Sequence, residues 1–310
     1  MINNNLYIEP MTPIKDFNDL INHLRLLPQR KRVALVCPDD SHTDYVITRV
    51  IAEGLADLLL VAGGKCSSVA VELAKDYPDR VALVVEPNAD SAARRAVAAV
   101  RAGNADVLMK GTINTDNLLR AVLDKECGLL EKGCVLSHIS VAQIPGYGRL
   151  ILFSDAAVIP RPTEEQFEAI VGYGTDVCRR IGIEQPKVAL IHCTEKVNEK
   201  FPHTLYYDSL KRKAAAGLWG DILMGGPMDV KTACDAESGE LKGIVTPVTG
   251  CADMMVFPNI ESGNVFYKAV SLFARAEMAG MLCGTVAPVV VASRADTGDS
   301  KLYSLALACL

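Results

Sequence analysis

The chain has no apolar run approaching the about 18 residues that a membrane-spanning helix requires. Its first residues, Met1-Ile2-Asn3-Asn4-Asn5, carry neither the positive charge nor the apolar core of a secretory leader, so a cytoplasmic location is the default expectation. Long basic stretches are missing too. The longest is Arg30-Lys31-Arg32, net charge is −5 and the pI is near 5.6, a balance that argues against a nucleic-acid partner. With five histidines and no CxxC, HxxxH or HExxH spacing, no metal site is expected. Neither a Walker A loop nor a GxGxxG fingerprint occurs.

What is present is an ordinary globular composition of 310 residues, 50% hydrophobic and 22% charged, enough for a large core in one or two domains. Ten cysteines are scattered through apolar segments and read as small buried hydrophobes in a reducing compartment. Short apolar runs alternate with amphipathic stretches from residue 32 onward. Predicted strands at 32–38, 58–61, 81–85 and 106–109 are each followed by a predicted helix, at 44–54, 67–76, 90–101 and 116–125. Four βα units in a row indicate an α/β protein with a doubly wound, mostly parallel sheet.

That rhythm breaks at 135–153, where two strand-like runs flank Pro145-Gly146-Tyr147-Gly148 as a hairpin-like crossing. A second series follows: helix 164–181, strand 188–192, helix 205–216, strand 221–224, strand 254–257 and helix 265–279. The expectation is two α/β domains facing a cleft, the first at 1–147 completed by a returning strand and helix at 282–310, the second at 148–281.

Polar residues gather where the apolar runs end. Val289-Val290-Val291-Ala292-Ser293-Arg294-Ala295-Asp296-Thr297-Gly298-Asp299 compresses a strand, a polar loop and a helix start into one short segment. Such turns lie where open α/β sheets bind ligands, and Ser293 with Arg294 would suit a phosphate or an oxyanion. The same segment also reads as a surface loop with Asp299 or Ser300 capping the last helix. Lys110-Gly111-Thr112-Ile113-Asn114-Thr115, with Arg120 one turn on, offers a second anion site, or simply Thr115 as an N-cap. Gly225-Gly226-Pro227-Met228-Asp229, Asp155, Asp253 and the segment from Pro258 to Lys268 also end apolar runs, with Asn264 as a possible cap. A shared cleft gathers these ends.

These segments, taken in order, resemble the phosphate acetyl/butyryltransferase family. The resemblance is carried by Ala105-Asp106-Val107-Leu108-Met109-Lys110-Gly111 with Thr115 and Arg120, by Leu136-Ser137-His138, and by Ser154-Asp155-Ala156-Ala157. It continues through Glu195-Lys196-Val197-Asn198, Gly225-Gly226-Pro227, Gly263-Asn264-Val265-Phe266-Tyr267-Lys268 and the run from Pro288 to Asp296, covering about 30–310. It implies reversible transfer of a short acyl group between coenzyme A and phosphate, on a fold like that of isocitrate and isopropylmalate dehydrogenases. Coenzyme A would be a substrate, with no permanently bound cofactor. A homodimer or larger homo-oligomer is implied, coupled in short-chain fatty acid fermentation to an acyl (butyrate) kinase.

The implied site has Ser293, Arg294 and Asp299 as catalytic residues, with Lys110, Thr115, Arg120 and Ser137 on the phosphate or acyl phosphate and Asn264 and Lys268 on coenzyme A. Asp299 or Asp296 would take the thiol proton, Asp299 being favoured by position. The chain continues its Ser-Arg turn as Ala295-Asp296-Thr297, where acetyl-specific members typically have a Gly-Cys-Ser segment, and this leans towards butyryl transfer. Acetyl, propionyl and isobutyryl transfer are the alternatives, since one methylene changes discrimination by only about 1–3 kcal/mol. An oxidoreductase of related fold and a non-catalytic sensor of coenzyme A or phosphate are the rival readings.

Overall fold

The computed structural model describes residues 12–293 and 296–310. It opens with α1 (Phe17–Leu26), whose apolar residues Phe17, Leu20, Ile21 and Leu24 recur at helical spacing and are all buried. The expected βα series follows as β1 (Lys31–Val36), α2 (Ser41–Glu53), β2 (Ala56–Gly63), α3 (Ser68–Asp76), β3 (Val81–Glu86), α4 (Ala89–Arg101), β4 (Val107–Lys110) and α5 (Thr115–Val122). Local chemistry sets the bounds. Asp40 caps α2 by accepting the Thr43 N–H, and Gly54 ends it in the left-handed region at φ 72°.

The crossing is a true antiparallel pair, β5 (Ser137–Gln143) with β6 (Leu150–Ser154). The second series is α6 (Glu164–Arg180), β7 (Lys187–Ile191), α7 (Pro202–Ala215), β8 (Leu223–Met228), α8 (Val230–Cys234), α9 (Ala236–Lys242), β9 (Met254–Val256) and α10 (Ile260–Phe273). The chain closes with β10 (Glu277–Cys283), β11 (Val289–Val290) and α11 (Gly298–Ala308). No described helix is long and apolar enough to cross a membrane.

Three sequence expectations change. Helix 265–279 ends at Phe273, and 277–279 belong instead to β10, which pairs antiparallel with β5. The short helices α8 and α9 had no counterpart in the pattern. Asp253 lies just before β9, as the predicted strand 254–257 places it, and clamps the start of β7 by accepting the Lys187 N–H at 3.0 Å with Arg149 3.4 Å away. Among the ten free cysteines, only Cys37, Cys178 and Cys309 are buried, while Cys127, Cys134 and Cys193 are exposed.

All eleven described strands join one sheet in the order β3-β2-β1-β4-β11-β10-β5-β6-β9-β7-β8. β11 returns beside β4 in parallel, so the last strand completes the first series. The strands β6, β9, β7 and β8 are mutually parallel, and β6 is antiparallel to β5. One face of the sheet is covered continuously: a single cluster runs from Phe17 and Leu35 through Met109, Ile139, Val141, Met281 and Val290 to Phe167 and Val188. The other face carries two separate clusters. One spans Ala34, Leu108, Leu282 and Val289; the other spans Ala142, Phe153, Met255 and Met278.

Candidate active site

Side chains alternate across a strand, so the seam between those two clusters can be located residue by residue. Along β10, Leu282 belongs to the first cluster and Met278 to the second, with Gly280 between them on the same side. Along β5, Ala142 belongs to the second cluster and Leu136, just before the strand, packs on the first. His138 and Ser140 fall between. Between the two clusters this face therefore carries a polar strip of His138, Ser140 and Gly280, with Ser140 fully buried.

Two sequence-predicted segments rise beside this strip. On β4, Leu108 points into the first cluster and Lys110 shares its side; Val289 on β11 and Val291 just after it pack on the same cluster, and Ser293 follows in the loop. Lys110 is buried, 4% exposed, and its Nζ donates to the Gly111 carbonyl at 3.1 Å. Gly111 is required by close approach, since a Cβ there would stand 2.3 Å from the Cys37 carbonyl oxygen. Ser293 is exposed, and its N–H donates to Asp296 Oδ2 at 2.7 Å. Arg294, the other half of the predicted pair, lies outside the described residues.

The second wall is built on Asp155. This carboxylate is 1% exposed and accepts four hydrogen bonds: Ser137 Oγ at 2.9 Å, His138 N at 3.1 Å, and the Ala157 and Val158 N–H groups at 2.8 Å each. A buried carboxylate is tolerable only when its lone pairs are filled in this way. α10 packs onto the same loop. Gly263 would place a Cβ 2.2 Å from the Asp155 carbonyl oxygen, and Asn264 Nδ2 donates to the Ala156 carbonyl at 2.9 Å.

The electrostatics tie the walls together. Burial lowers the His138 imidazole from its usual range, and the negative charges of Asp155 and Asp296 oppose that shift. Burial raises the Tyr267 hydroxyl on α10 to about 12, with the Asp296 charge acting in the same direction. Asp296 thus bears on groups from both halves of the chain.

Several predicted site residues lie elsewhere. Ser137 is fully buried on the continuous face, locked between Asp155 and Ser154 Oγ, and does not face the strip. Asp299 sits in the first turn of α11, where it accepts the Tyr45 hydroxyl at 2.5 Å and pairs with Arg49 at 3.6 Å. Arg120 is exposed and lines a groove of about 160 Å³ between α4 and α5, with Asp90, Arg94 and Asp124. Thr115 is the exposed first residue of α5; the cap position is Asn114. Asn264 is not a cap either, because Asn259 holds that position by accepting the Ser262 N–H at 2.9 Å. Lys268 is exposed, its ammonium 4.9 Å from the Tyr267 ring centre. Thr297, rather than Asp299 or Ser300, caps α11.

Reading the sequence for polar strand ends missed Ser140 and Gly280 and gave His138 no role. The alternation Leu136, His138, Ser140, Ala142 was the available signal, but it says nothing until the two clusters are known.

A family model described as phosphate acetyl/butaryl transferase matches residues 65–309. A phosphate butyryltransferase of Clostridium acetobutylicum is 37% identical over 298 residues, 96% of this chain and 98% of that one. A phosphate acetyltransferase of Thermotoga maritima is 32% identical over 281 residues, 90% of this chain and 95% of that one. Among solved structures, a branched-chain phosphotransacylase of Enterococcus faecalis V583 superposes with a TM-score of 0.78 at 28% identity, covering 90% of this chain and 97% of that one. The mixed α/β sheet with its polar strip is therefore the scaffold of a phosphate acyltransferase. More narrowly, the chain belongs to the phosphate acetyl/butaryl transferase family.

Proposed function

We propose that this enzyme transfers a butyryl group between coenzyme A and phosphate: butyryl-CoA plus phosphate gives butyryl phosphate plus free coenzyme A. The observation that carries the four-carbon assignment is the 37% identity, over nearly the full length of both chains, to a protein named phosphate butyryltransferase. The sequence after the Ser-Arg turn points the same way, and so does the likeness to a branched-chain phosphotransacylase.

The seam between the two walls is the site. Lys110 and Arg294 hold the phosphate or acyl phosphate, arginine by two parallel donors and lysine as a buried point charge. Thr115 and the first turn of α5 extend that anion site. The Ser293 hydroxyl donates to the thioester carbonyl oxygen as charge develops on it. Asp296 orients the Ser293 loop by holding its N–H, and it replaces Asp299 as the carboxylate of the site. Lys268 and Asn264 face the nucleotide end of coenzyme A. Thiolate and phosphate oxygen exchange on the acyl carbon directly, in a ternary complex with no acyl-enzyme. The division at 1–147 with 282–310 and 148–281 as two domains, a cytoplasmic location, and a homodimer or larger homo-oligomer coupled to an acyl kinase are parts of the same proposal.

The test is phosphate-dependent release of free thiol from acetyl-, propionyl-, butyryl- and isobutyryl-CoA, by wild type and by Ser293→Ala. A maximum at four carbons, and a fall of about 10²-fold or more in the variant, is the expected result. A maximum with acetyl-CoA would overturn the butyryl assignment. No phosphate-dependent release from any thioester would overturn the transferase.

A further inference from the structure

We infer that His138 is the proton acceptor for the thiol of coenzyme A, its Nε2 taking the proton as the sulfur attacks the acyl carbon of an acyl phosphate. The inference rests on the transferase reading above and gives that reaction a base.

The step balances without any further reactant. The S–H bond breaks with its proton going to Nε2, the S–C bond forms, and the C–O bond to phosphate breaks with its electron pair leaving on the phosphate oxygen. The imidazolium then returns its proton to the released phosphate or to water. In the reverse direction the imidazolium protonates the departing thiolate.

Position makes the first argument. His138 is the one histidine on the strip where the two clusters part, with Lys110 on the same side of the sheet. The other described histidines lie elsewhere: His23 on α1, His42 on α2, and His192 and His203 paired beyond β7. The ring rests over Gly280, its Cε1–Nε2 edge filling the space a side chain would take. A glycine on the central strand opposite is what admits it.

The second argument is the bonding of the ring. Nδ1 lies 3.1 Å from Ser140 Oγ, a neutral partner that is itself fully buried. When Nδ1–H donates to that oxygen, Nε2 is left with its lone pair. Nε2 has no hydrogen-bond partner among the described residues. The nearby carboxylates are engaged instead. Asp155 is filled by four donors, Asp299 is turned to Tyr45 and Arg49, and Asp296 holds the Ser293 N–H.

The third argument is matching. Ordinary imidazoles, at about 6.5, are better matched to a thiol of about 8.5 than ordinary carboxylates at about 4; burial lowers this ring and takes back part of that advantage. The charged groups facing the ring are Asp155 after β6 and Asp296 before α11; its own strand offers neutral Ser140, and β10 offers Gly280. Burial keeps the ring neutral in the resting enzyme against those two charges. Once the ring is protonated, the same two carboxylates stabilise it.

The experiment follows thioester formation from butyryl phosphate and coenzyme A between pH 5 and 9, on wild type, Ser140→Ala, His138→Gln and His138→Ala, each with its urea unfolding midpoint. In wild type, kcat/KM falls on the acid side as His138 becomes protonated. In His138→Gln, kcat drops about 10²–10⁴-fold, the acid bend disappears, and KM for both substrates stays within a few-fold. Added imidazole restores part of the rate in His138→Ala and leaves Ser140→Ala unaffected. Two results would overturn the assignment: folded His138→Gln with wild-type turnover and the same acid bend, or a loss in His138→Ala that imidazole does not relieve while the bend persists in His138→Gln. Wild type that forms no thioester at all would overturn the transferase reading, a failure separate from either.

Discussion

Gly280 on β10 leaves the place of its missing Cβ to the imidazole of His138: a methyl there would stand 2.6 Å from Cε1 and 2.8 Å from Nε2. The backbone at Gly280 does not need glycine, because its φ lies outside the left-handed range. The demand is for space. Gly280→Ala should therefore cost about 1–3 kcal/mol through overpacking, and turnover should fall with it as the ring swings off the strip. Urea unfolding and thiol release would check both. Unchanged stability with full activity would show that the ring has slack the packing does not reveal.

Asp155 is a second fixed point, and its four donors make it sensitive to more than loss of charge. Asp155→Ala would leave three backbone N–H groups without an acceptor in a buried site, and Ser137 Oγ with only Ser154 Oγ as partner. At about 1–3 kcal/mol per orphaned group, discounted for water entering the hole, a loss of about 3 kcal/mol or more is expected. Asp155→Asn keeps the shape but turns an NH2 towards donors, so it should recover little. Equilibrium denaturation of the two variants would decide; a loss below about 1 kcal/mol in Asp155→Ala would mean that the loop rearranges around the gap.

The two aspartates after Ser293 separate cleanly by partner. Asp299 faces α2, and its pairing with Arg49 and Tyr45 is half-exposed, a setting that contributes about 1 kcal/mol at most. Asp299→Asn should reduce turnover no more than a few-fold. Asp296→Asn should reduce it about tenfold or more, because the loop bearing Ser293 loses its acceptor and His138 loses a facing charge. The opposite ranking in a kcat comparison would restore Asp299, as counting residues from Ser293 suggested.

Those aspartates show where the sequence is a good guide and where it is not. The βα succession was legible because each apolar run and each capped amphipathic stretch is a local pattern, as Asp40 and Gly54 illustrate around α2. The end of α10 was not. From Leu272 to Ala279 the residues continue a helical composition, and the break falls at Arg275, which takes φ 52° without a glycine or proline to announce it. The contact of Asp299 was not legible either, because its partner, Tyr45, is 254 residues away in the chain. Ser137 and His138 are adjacent letters in one motif, and only the layering of the sheet puts the first in the core and the second in the strip.

The histidines also set how the fold answers to acid. His203 Nε2 and His192 Nδ1 lie 3.2 Å apart beside Phe201, and burial lowers the affinity of both rings for protons; the neighbouring ring lowers His203 further, while Glu195 opposes the shift at His192. His138 is lowered by burial as well. Below the ordinary histidine value of about 6.5 the unfolded chain binds protons that the native state refuses, so stability must fall as pH drops through that value. The paired carboxylates Asp229 and Glu195, lowered through Lys242, also lose stability on acidification, but only in the ordinary carboxylate range of about 4. A urea midpoint that already declines between pH 7 and 5.5 is therefore the signature of the rings. His203→Gln, which keeps a donor towards His192 without a titrating group, should flatten that decline. If the slope in this window is the same with and without His203, that ring is solvated enough to titrate normally, and the decline belongs to the other lowered rings, His138 foremost.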